Sequence, residues 1–391
     1  MDVKARGECI TSISLPIHVE ETTYETPTQW RLVGAEGKAD HVVELCERNR
    51  CIPETLLEVG AGDGAILAWL GKKSFCKAMH AVEISQSGVR VILDQRIPGL
   101  VSCQTFDGYS LPFKDDCFDL AILSHVLEHV EYERALLREV ARVSKYQVIE
   151  IPMDFGALNN DHFQMLGPSY GHINAHSPPS LRFLLSTENL VVVDGLLGQY
   201  DWALQEYDYF VNNSREKTTA ALAAFRARFE QEKRAFEALP IEQRERRASF
   251  YAVLTRKENA EERRMRALNA AKSYIESGHV QAARLIFKHY IPKGSELEAN
   301  LEIARFCLQA QQWQAGQEFV DRVLTIEVSH PEALSIRAAL QAKAIQQTST
   351  RQTPIPRSNA NGVCGSPWDI LKRRLRVSFP RLTYAVRRLR R

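Results

Sequence analysis

Two periods of apolar and polar positions interleave along the first 260 or so residues. Short apolar runs at 55–59, 77–84, 101–106, 118–124 and 146–151 are bounded by Gly, Pro, Asn or Asp. Runs of that length and bounding predict strands, and their near-continuous apolar character predicts burial on both faces. Between them, 65–70, 86–96 and 131–143 have helical spacing. The last of these puts Leu136, Val140 and Val143 inward and Arg134, Arg138 and Arg142 outward. A helix within 30–50, with Val42, Val43, Leu45 and Cys46 on one side, precedes the first strand and either covers the sheet or closes over its ligand. Strands alternating with helices of this size predict right-handed β-α-β units and a parallel sheet. Runs at 189–194 and 250–256 predict two further strands. The charged helical stretch 213–249 between them predicts an insertion at the sheet edge.

The first strand runs into Glu58-Val59-Gly60-Ala61-Gly62-Asp63-Gly64. Such a turn needs backbone conformations that a Cβ forbids, and it leaves bare backbone for a ligand to approach. The helix that follows aims its N-terminal N–H groups at the same place. The prediction is a ligand cradle on an open α/β sheet, at the carboxyl end of the first strand. Gly60-x-Gly62-x-x-Ala65 also satisfies the dinucleotide pattern. Glu58, two residues ahead of the first glycine, and the third glycine, Gly64, argue against a nicotinamide cofactor.

Glu-x-Gly-x-Gly-x-Gly resembles the first motif of class I S-adenosylmethionine-dependent methyltransferases. The resemblance implies that Gly60, Ala61, Gly62, Asp63 and Gly64 hold the methionine part of the cofactor, with Glu58 offsetting its charged amine. Glu83, followed by Ile84 at the end of the second strand, can accept hydrogen bonds from both ribose hydroxyls, as acids do in dinucleotide folds. The run from Asp107-Gly108 through Leu111-Pro112-Phe113 to Phe118-Asp119 resembles the family's approach to strand four. It implies that Asp107 bonds the adenine amine and that Gly108 lets the ring lie flat. Leu123-Ser124-His125-Val126-Leu127-Glu128-His129 resembles the segment after that strand. Over 55–155 the motifs come in the family's order, and that agreement is stronger than any one of them. The fold implied is an α/β, Rossmann-like sheet of seven strands, mostly parallel with an antiparallel last strand, which 250–257 resembles.

The cofactor supplies the electrophile in such chemistry. The protein aligns the acceptor and removes a proton where the acceptor is a hydroxyl. Histidine suits that base role near neutral pH, and the candidates are His125, His129, His162, His172 and His176. His125-x-x-Glu128-His129 also spells a zinc signature, but a zinc peptidase needs it within a long helix. Here it starts at a strand end, so no metal is expected.

Beyond about residue 259 the pattern changes. Ala271, Tyr274, Gly278, Ala283 and Phe287, then Ala304, Cys307, Gly316, Val320 and Val323, fall at spacings resembling tetratricopeptide repeats. An ordinary helical hairpin pair fits nearly as well. The domains expected are an arm (1–29), a methyltransferase domain (30–258), a helical domain (259–345), a linker rich in Gln, Thr, Ser and Pro (346–367) and a tail (368–391). The tail has nine Lys or Arg and one acid, with Trp368, Leu371 and Phe379 interleaved. It suits an anionic membrane surface, and equally a solvated tail or an acidic partner; nucleic acid is not the partner expected.

The chain has 391 residues, 45% apolar and 25% charged, with a net charge of +2, which suits a globular protein of two or three domains. The apolar stretch 9–19 is broken by Thr11, Ser12, Ser14 and Pro16 and does not read as a leader. Eight cysteines without a C-x-x-C pair predict reduced, mostly buried thiols and a cytoplasmic protein, at most peripheral to the inner membrane surface. The function expected is methyl transfer to an oxygen of a small-molecule, glycan or lipid-precursor acceptor. The alternative is a non-catalytic relative that recruits partners through its helical repeats.

Overall fold

A computed structural model describes residues 29–153, 171–291 and 294–350. The expected N-terminal arm (but for its last residue), His162, the linker from 351 and the basic tail lie outside the described residues. The chain divides into two compact units, with the division between Arg263 and Arg264.

The first unit begins with α1 (Gln29–Arg48), then alternates β1 (Thr55–Val59), α2 (Ala65–Lys72), β2 (Ala78–Glu83), α3 (Gln86–Asp94), β3 (Leu100–Thr105), β4 (Phe118–Ser124), α4 (Glu133–Val143) and β5 (Ser144–Pro152). It continues with α5 (Pro178–Thr187), β6 (Leu190–Gly198), α6 (Trp202–Tyr207), α7 (Thr219–Glu237), α8 (Ile241–Arg247) and β7 (Phe250–Lys257). One seven-stranded sheet results, in the order β3-β2-β1-β4-β5-β7-β6. β1 to β5 run parallel, and β7 is antiparallel to both of its neighbours. The strand order reverses between β1 and β4, which opens a crevice outside their carboxyl ends.

Alternation along each strand builds a core on either face. Leu56, Leu120, Ile122 and Val148 pack with Val42, Leu45, Leu67 and Leu70 on one side. Leu57, Ala121, Leu123 and Ile149 pack with Leu136, Val140 and Leu184 on the other. The insertion between β6 and β7 is helical as expected, in α7 and α8. Arg142 departs from its expected outward role: it donates to the carbonyls of Leu111 and Phe113 and pairs with Asp115 and Glu139. A helix-surface arginine thus fastens the loop before β4, because the end of α4 passes beneath it.

The second unit takes in most of α9 (Ala260–Glu276), then α10 (Val280–Tyr290), α11 (Glu296–Gln309), α12 (Trp313–Ile326) and α13 (Pro331–Thr350). Its core joins Leu268, Ala271, Ala283, Phe287, Cys307, Phe319, Val320 and Leu340. A Cβ on Gly316 would lie 2.9 Å from Leu340 and 3.0 Å from Cys307, so the glycine sets how closely these helices approach. Of the residues expected to mark a first repeat, Ala271, Ala283 and Phe287 are buried while Tyr274 is 45% exposed. α13 also runs to residue 350, into the stretch expected to be linker. The six cysteines described are free, but Cys117 is exposed and Cys51, Cys76 and Cys103 are only half-buried. Cys103 lies on the edge strand β3, and Cys51, Cys76 and Cys117 sit in the connections that lead into β1, β2 and β4, where cover is partial.

Candidate functional site

β1 delivers Glu58 to the floor of the crevice and stops in the glycine turn. Gly60 has φ +73 and a Cβ there would lie 2.8 Å from Val126; Gly64 has φ +77 and a Cβ there would lie 2.9 Å from Ile92. Both positions exclude a side chain twice over, by conformation and by space. The N–H groups of Gly60 and Ala61 donate to the Val82 carbonyl, which clamps the turn against β2. Gly62 N–H donates to Glu83 Oε2 at 2.8 Å and Ser85 N–H to Glu83 Oε1 at 3.1 Å. Glu83 therefore shapes the turn, and each oxygen keeps a lone pair for a ligand hydroxyl.

Three carboxylates meet at this turn. Glu58 is 2% exposed and Asp63 4%, and neither Glu58 Oε2 nor Asp63 Oδ2 has a hydrogen-bond partner. Asp63 Oδ1 accepts from Ala65 N–H at 3.3 Å, and Arg31 of α1 pairs with Oδ2 across 3.7 Å. Burial, with the charges of Asp63 and Glu83 behind it, pushes the Glu58 carboxyl well above its ordinary range, against the pull of Lys38. Burial likewise raises Glu83, opposed by its backbone donors. Buried acceptors that no hydrogen-bond donor reaches are uncommon, and here two carboxyl groups of that kind lie beside a bare-backbone turn. They fit a ligand that brings a cationic amine.

Along the strand tips, Asp107 accepts from the N–H groups of Tyr109 and Ser110 at 2.8 and 2.6 Å. Burial works against its ionisation, but these donors outweigh it and hold the carboxyl below its ordinary value. Gly108 has φ +89. Ile84 is half-buried beyond Glu83, and Ser124 Oγ at the tip of β4 is buried without a partner.

The candidate histidines separate. His125, held at φ +56, places Nε2 3.3 Å from Glu150 Oε1 and Nδ1 3.5 Å from Glu128 Oε1. Carboxylates face both its nitrogens. His129 Nδ1 lies 3.0 Å from the Gly171 carbonyl, and its ring meets His172 edge-on at 4.8 Å. Burial lowers the His129 pKa, against the charge of Glu128. His176 is 8% exposed and lies 2.8 Å from Glu133 on α4; it ties a loop to a helix. The 125–129 segment is a strand end and a short 3-10 turn (Leu127–His129), as its context predicts.

Sequence reasoning missed a second layer. His41 Nδ1 of α1 bonds Glu150 Oε2 at 2.8 Å. Burial opposes ionisation of Glu150, but His125 and His41 hold it well below the usual carboxylate range. The Lys38 ammonium is turned in among Glu150, Glu128, Glu58 and Asp63, and burial lowers its pKa. A signal existed: Lys38 and His41 lie on the same face of α1 as buried Ala35, Ala39, Val42 and Leu45. Charge on an apolar helix face, like Glu150 inside an apolar strand, needs a partner.

Residues 57–148 match a family described as a methyltransferase domain. Over 141 residues the chain is 28% identical to the demethylmenaquinone methyltransferase of Corynebacterium efficiens, covering 34% of this chain and 58% of that one. Over 108 residues it is 31% identical to the malonyl-(acyl-carrier protein) O-methyltransferase of Halorhodospira halophila, covering 27% and 36%. The matched stretches thus span little more than half of one relative and about a third of the other. Among solved structures, magnesium protoporphyrin IX methyltransferase from Synechocystis, with bound SAH, is similar at a TM-score of 0.36 and 18% identity, over 44% of this chain and 80% of that one. The chain carries a class I methyltransferase domain of the S-adenosylmethionine-dependent kind.

Proposed function

We propose that this protein is an S-adenosylmethionine-dependent methyltransferase acting on an oxygen of a small-molecule, glycan or lipid-precursor acceptor. The observation that carries the reading is the pair of buried carboxyl oxygens on Glu58 and Asp63 that no hydrogen-bond donor reaches, beside a turn that excludes side chains. Such a cofactor supplies a methyl on a sulfonium, which an acceptor lone pair takes as the carbon–sulfur bond breaks. Glu58 and Asp63 offset the amine; Glu83 accepts from the ribose; Asp107 and Gly108 seat the adenine; Ile84 and Ser124 line the crevice between them.

Oxygen is favoured because a hydroxyl gives up its proton as it is methylated. His129 meets that need: the Gly171 carbonyl can only accept, so Nδ1 carries the proton and Nε2 keeps its lone pair. His172 stands beside it. One relative is named an O-methyltransferase. We read the second unit as a tetratricopeptide-like seat for a protein partner and the basic tail as a contact with an anionic membrane, for an enzyme of the cytoplasm that is peripheral to that surface.

Equilibrium binding of S-adenosylmethionine tests the cofactor, with Gly62→Arg as the blocked variant. Deuterated-methyl cofactor incubated with cell extracts, read by mass spectrometry, tests the acceptor. The proposal expects binding by the parent alone and a labelled oxygen in the product. No binding by the parent leaves an interaction protein on a methyltransferase-like fold, and a labelled nitrogen or carbon overturns the choice of oxygen.

A further inference from the structure

We propose that Glu128, His129 and His172 form a binding site for a divalent transition-metal ion, Zn2+ foremost, on the acceptor side of the crevice. One ligand atom from each of the three lies within 4.8 Å of the other two. Glu128 is 1% exposed, and neither of its carboxylate oxygens has a hydrogen-bond partner. The nearest donors to Oε1 are ring nitrogens of His125 at 3.5 Å and His129 at 3.9 Å, and the Lys38 ammonium acts on it through space. A buried carboxylate with both oxygens unbonded is a strong site for a cation.

The histidine beside it is set as a ligand. Its Nδ1–H is committed to the Gly171 carbonyl, so the Nε2 lone pair is directed to the Glu128 side. Hydrogen-bonding the far nitrogen to a carbonyl is how metal-ligating histidines are oriented. Gly171 has φ +75, and a Cβ there would lie 3.2 Å from His129 Nδ1, so the glycine is what lets its carbonyl reach the ring. The segment that brings His172 is laced to the turn that carries the other two. Ile173 and Asn174 N–H both donate to the Glu128 carbonyl, at 2.8 and 3.0 Å. Asn174 Nδ2 donates to the carbonyls of Leu127 and Val130. The donors are thereby held close before any ion arrives.

Two imidazoles and one carboxylate, with further positions open, are the donors of a catalytic zinc site. Mg2+ and Ca2+ prefer all-oxygen sets. A tetrahedral ion with bonds of about 2.1 Å needs donors about 3.4 Å apart, and the three here lie within 4.8 Å of one another. The zinc signature His125-x-x-Glu128-His129 is set aside because it starts at a strand end and not within a long helix. Instead the fold sends His125 toward Glu150 and brings the third donor from another loop. With the ion bound, His129 Nε2 is a ligand and no longer a base, and the cation would itself acidify an acceptor hydroxyl bound to it; that role rests on the methyl-transfer reading, but binding of the ion does not.

The test uses tag-free, full-length protein, stripped with chelator, loaded with Zn2+ and desalted, with bound metal measured by plasma mass spectrometry. S-adenosylhomocysteine binding is measured on the same samples. The parent should retain about one ion per chain, and Co2+ in its place should give visible tetrahedral absorption. His172→Gln and Glu128→Gln should each weaken metal binding at least a hundredfold. His172 is half-exposed, so its variant keeps the test sound if Glu128→Gln does not fold. A parent without stoichiometric metal, or a His172→Gln variant that binds it equally well, overturns the site. Metal binding without nucleoside binding keeps the site and overturns the cofactor reading instead.

Discussion

Replacing Glu58 with Gln should move ligand affinity and stability in opposite directions. The substitution keeps the volume and removes the charge from a side chain that is 2% exposed, with one oxygen unbonded. In the parent that acceptor costs about 1–3 kcal/mol of desolvation. The Gln amide removes the charge, and with it the repulsion from Asp63 and Glu83. Stability should therefore rise by about 1–3 kcal/mol, or about 2–4 °C in Tm per kcal/mol for a unit of this size. The pH course fixes the sign. Because the folded carboxyl titrates above its ordinary 4.5, the unfolded chain loses its proton first as pH rises, and the parent loses stability from there up to the folded pKa. The gap between variant and parent should be near zero below pH 4.5 and widen above it. A hydrogen bond from a cationic amine is worth about 1.5–3 kcal/mol, so the variant should bind S-adenosylmethionine about 10- to 150-fold more weakly. Calorimetric titration and thermal melts across pH 4–8 measure both. Unchanged affinity, or a variant less stable than the parent at pH 7, would refute the assignment of Glu58 as a counter-charge held in reserve.

Gly60→Ala forces a side chain into φ +73 and 2.8 Å from Val126; the conformation alone costs about 1–2 kcal/mol, so the melting temperature should fall by about 2–4 °C per kcal/mol, and a turn shifted to relieve the strain should bind the cofactor more weakly. Glu150→Gln leaves His41 and His125 facing a neutral partner in a buried site, and should cost about 3–5 kcal/mol by denaturant unfolding. Since Glu150 is held below its ordinary value, its stabilisation is present above that value and lost as pH falls toward the folded pKa, so the cost should shrink in acid. Gly316→Val meets Leu340 and Cys307 at 2.9–3.0 Å and should destabilise the helical unit by about 1–3 kcal/mol, seen as earlier proteolysis there and unaltered nucleoside binding.

Local pattern was enough to place the strands and the cradle. A period of two with apolar runs specifies strands, their alternation with helices specifies parallel units, and φ-demanding glycines specify the turn. Glu58, Glu83 and Asp107 could be named because each sits at a fixed offset from such a marker. The sheet order, the seat of the insertion and the partners of buried charge were not local. Nothing within α1 says that Lys38 will point among four carboxylates drawn from β1, β5 and two turns. Nothing near His125 says that Glu150 will take it from its own motif, or that His172, more than forty residues on, will stand beside His129. Backbone preference is written residue by residue, while the burial of a charge depends on which distant side chains share its cavity. Sequence alone determined the scaffold and the ligand-facing turn; the tertiary fold decided which acids are left without partners and which histidine keeps a nitrogen to use.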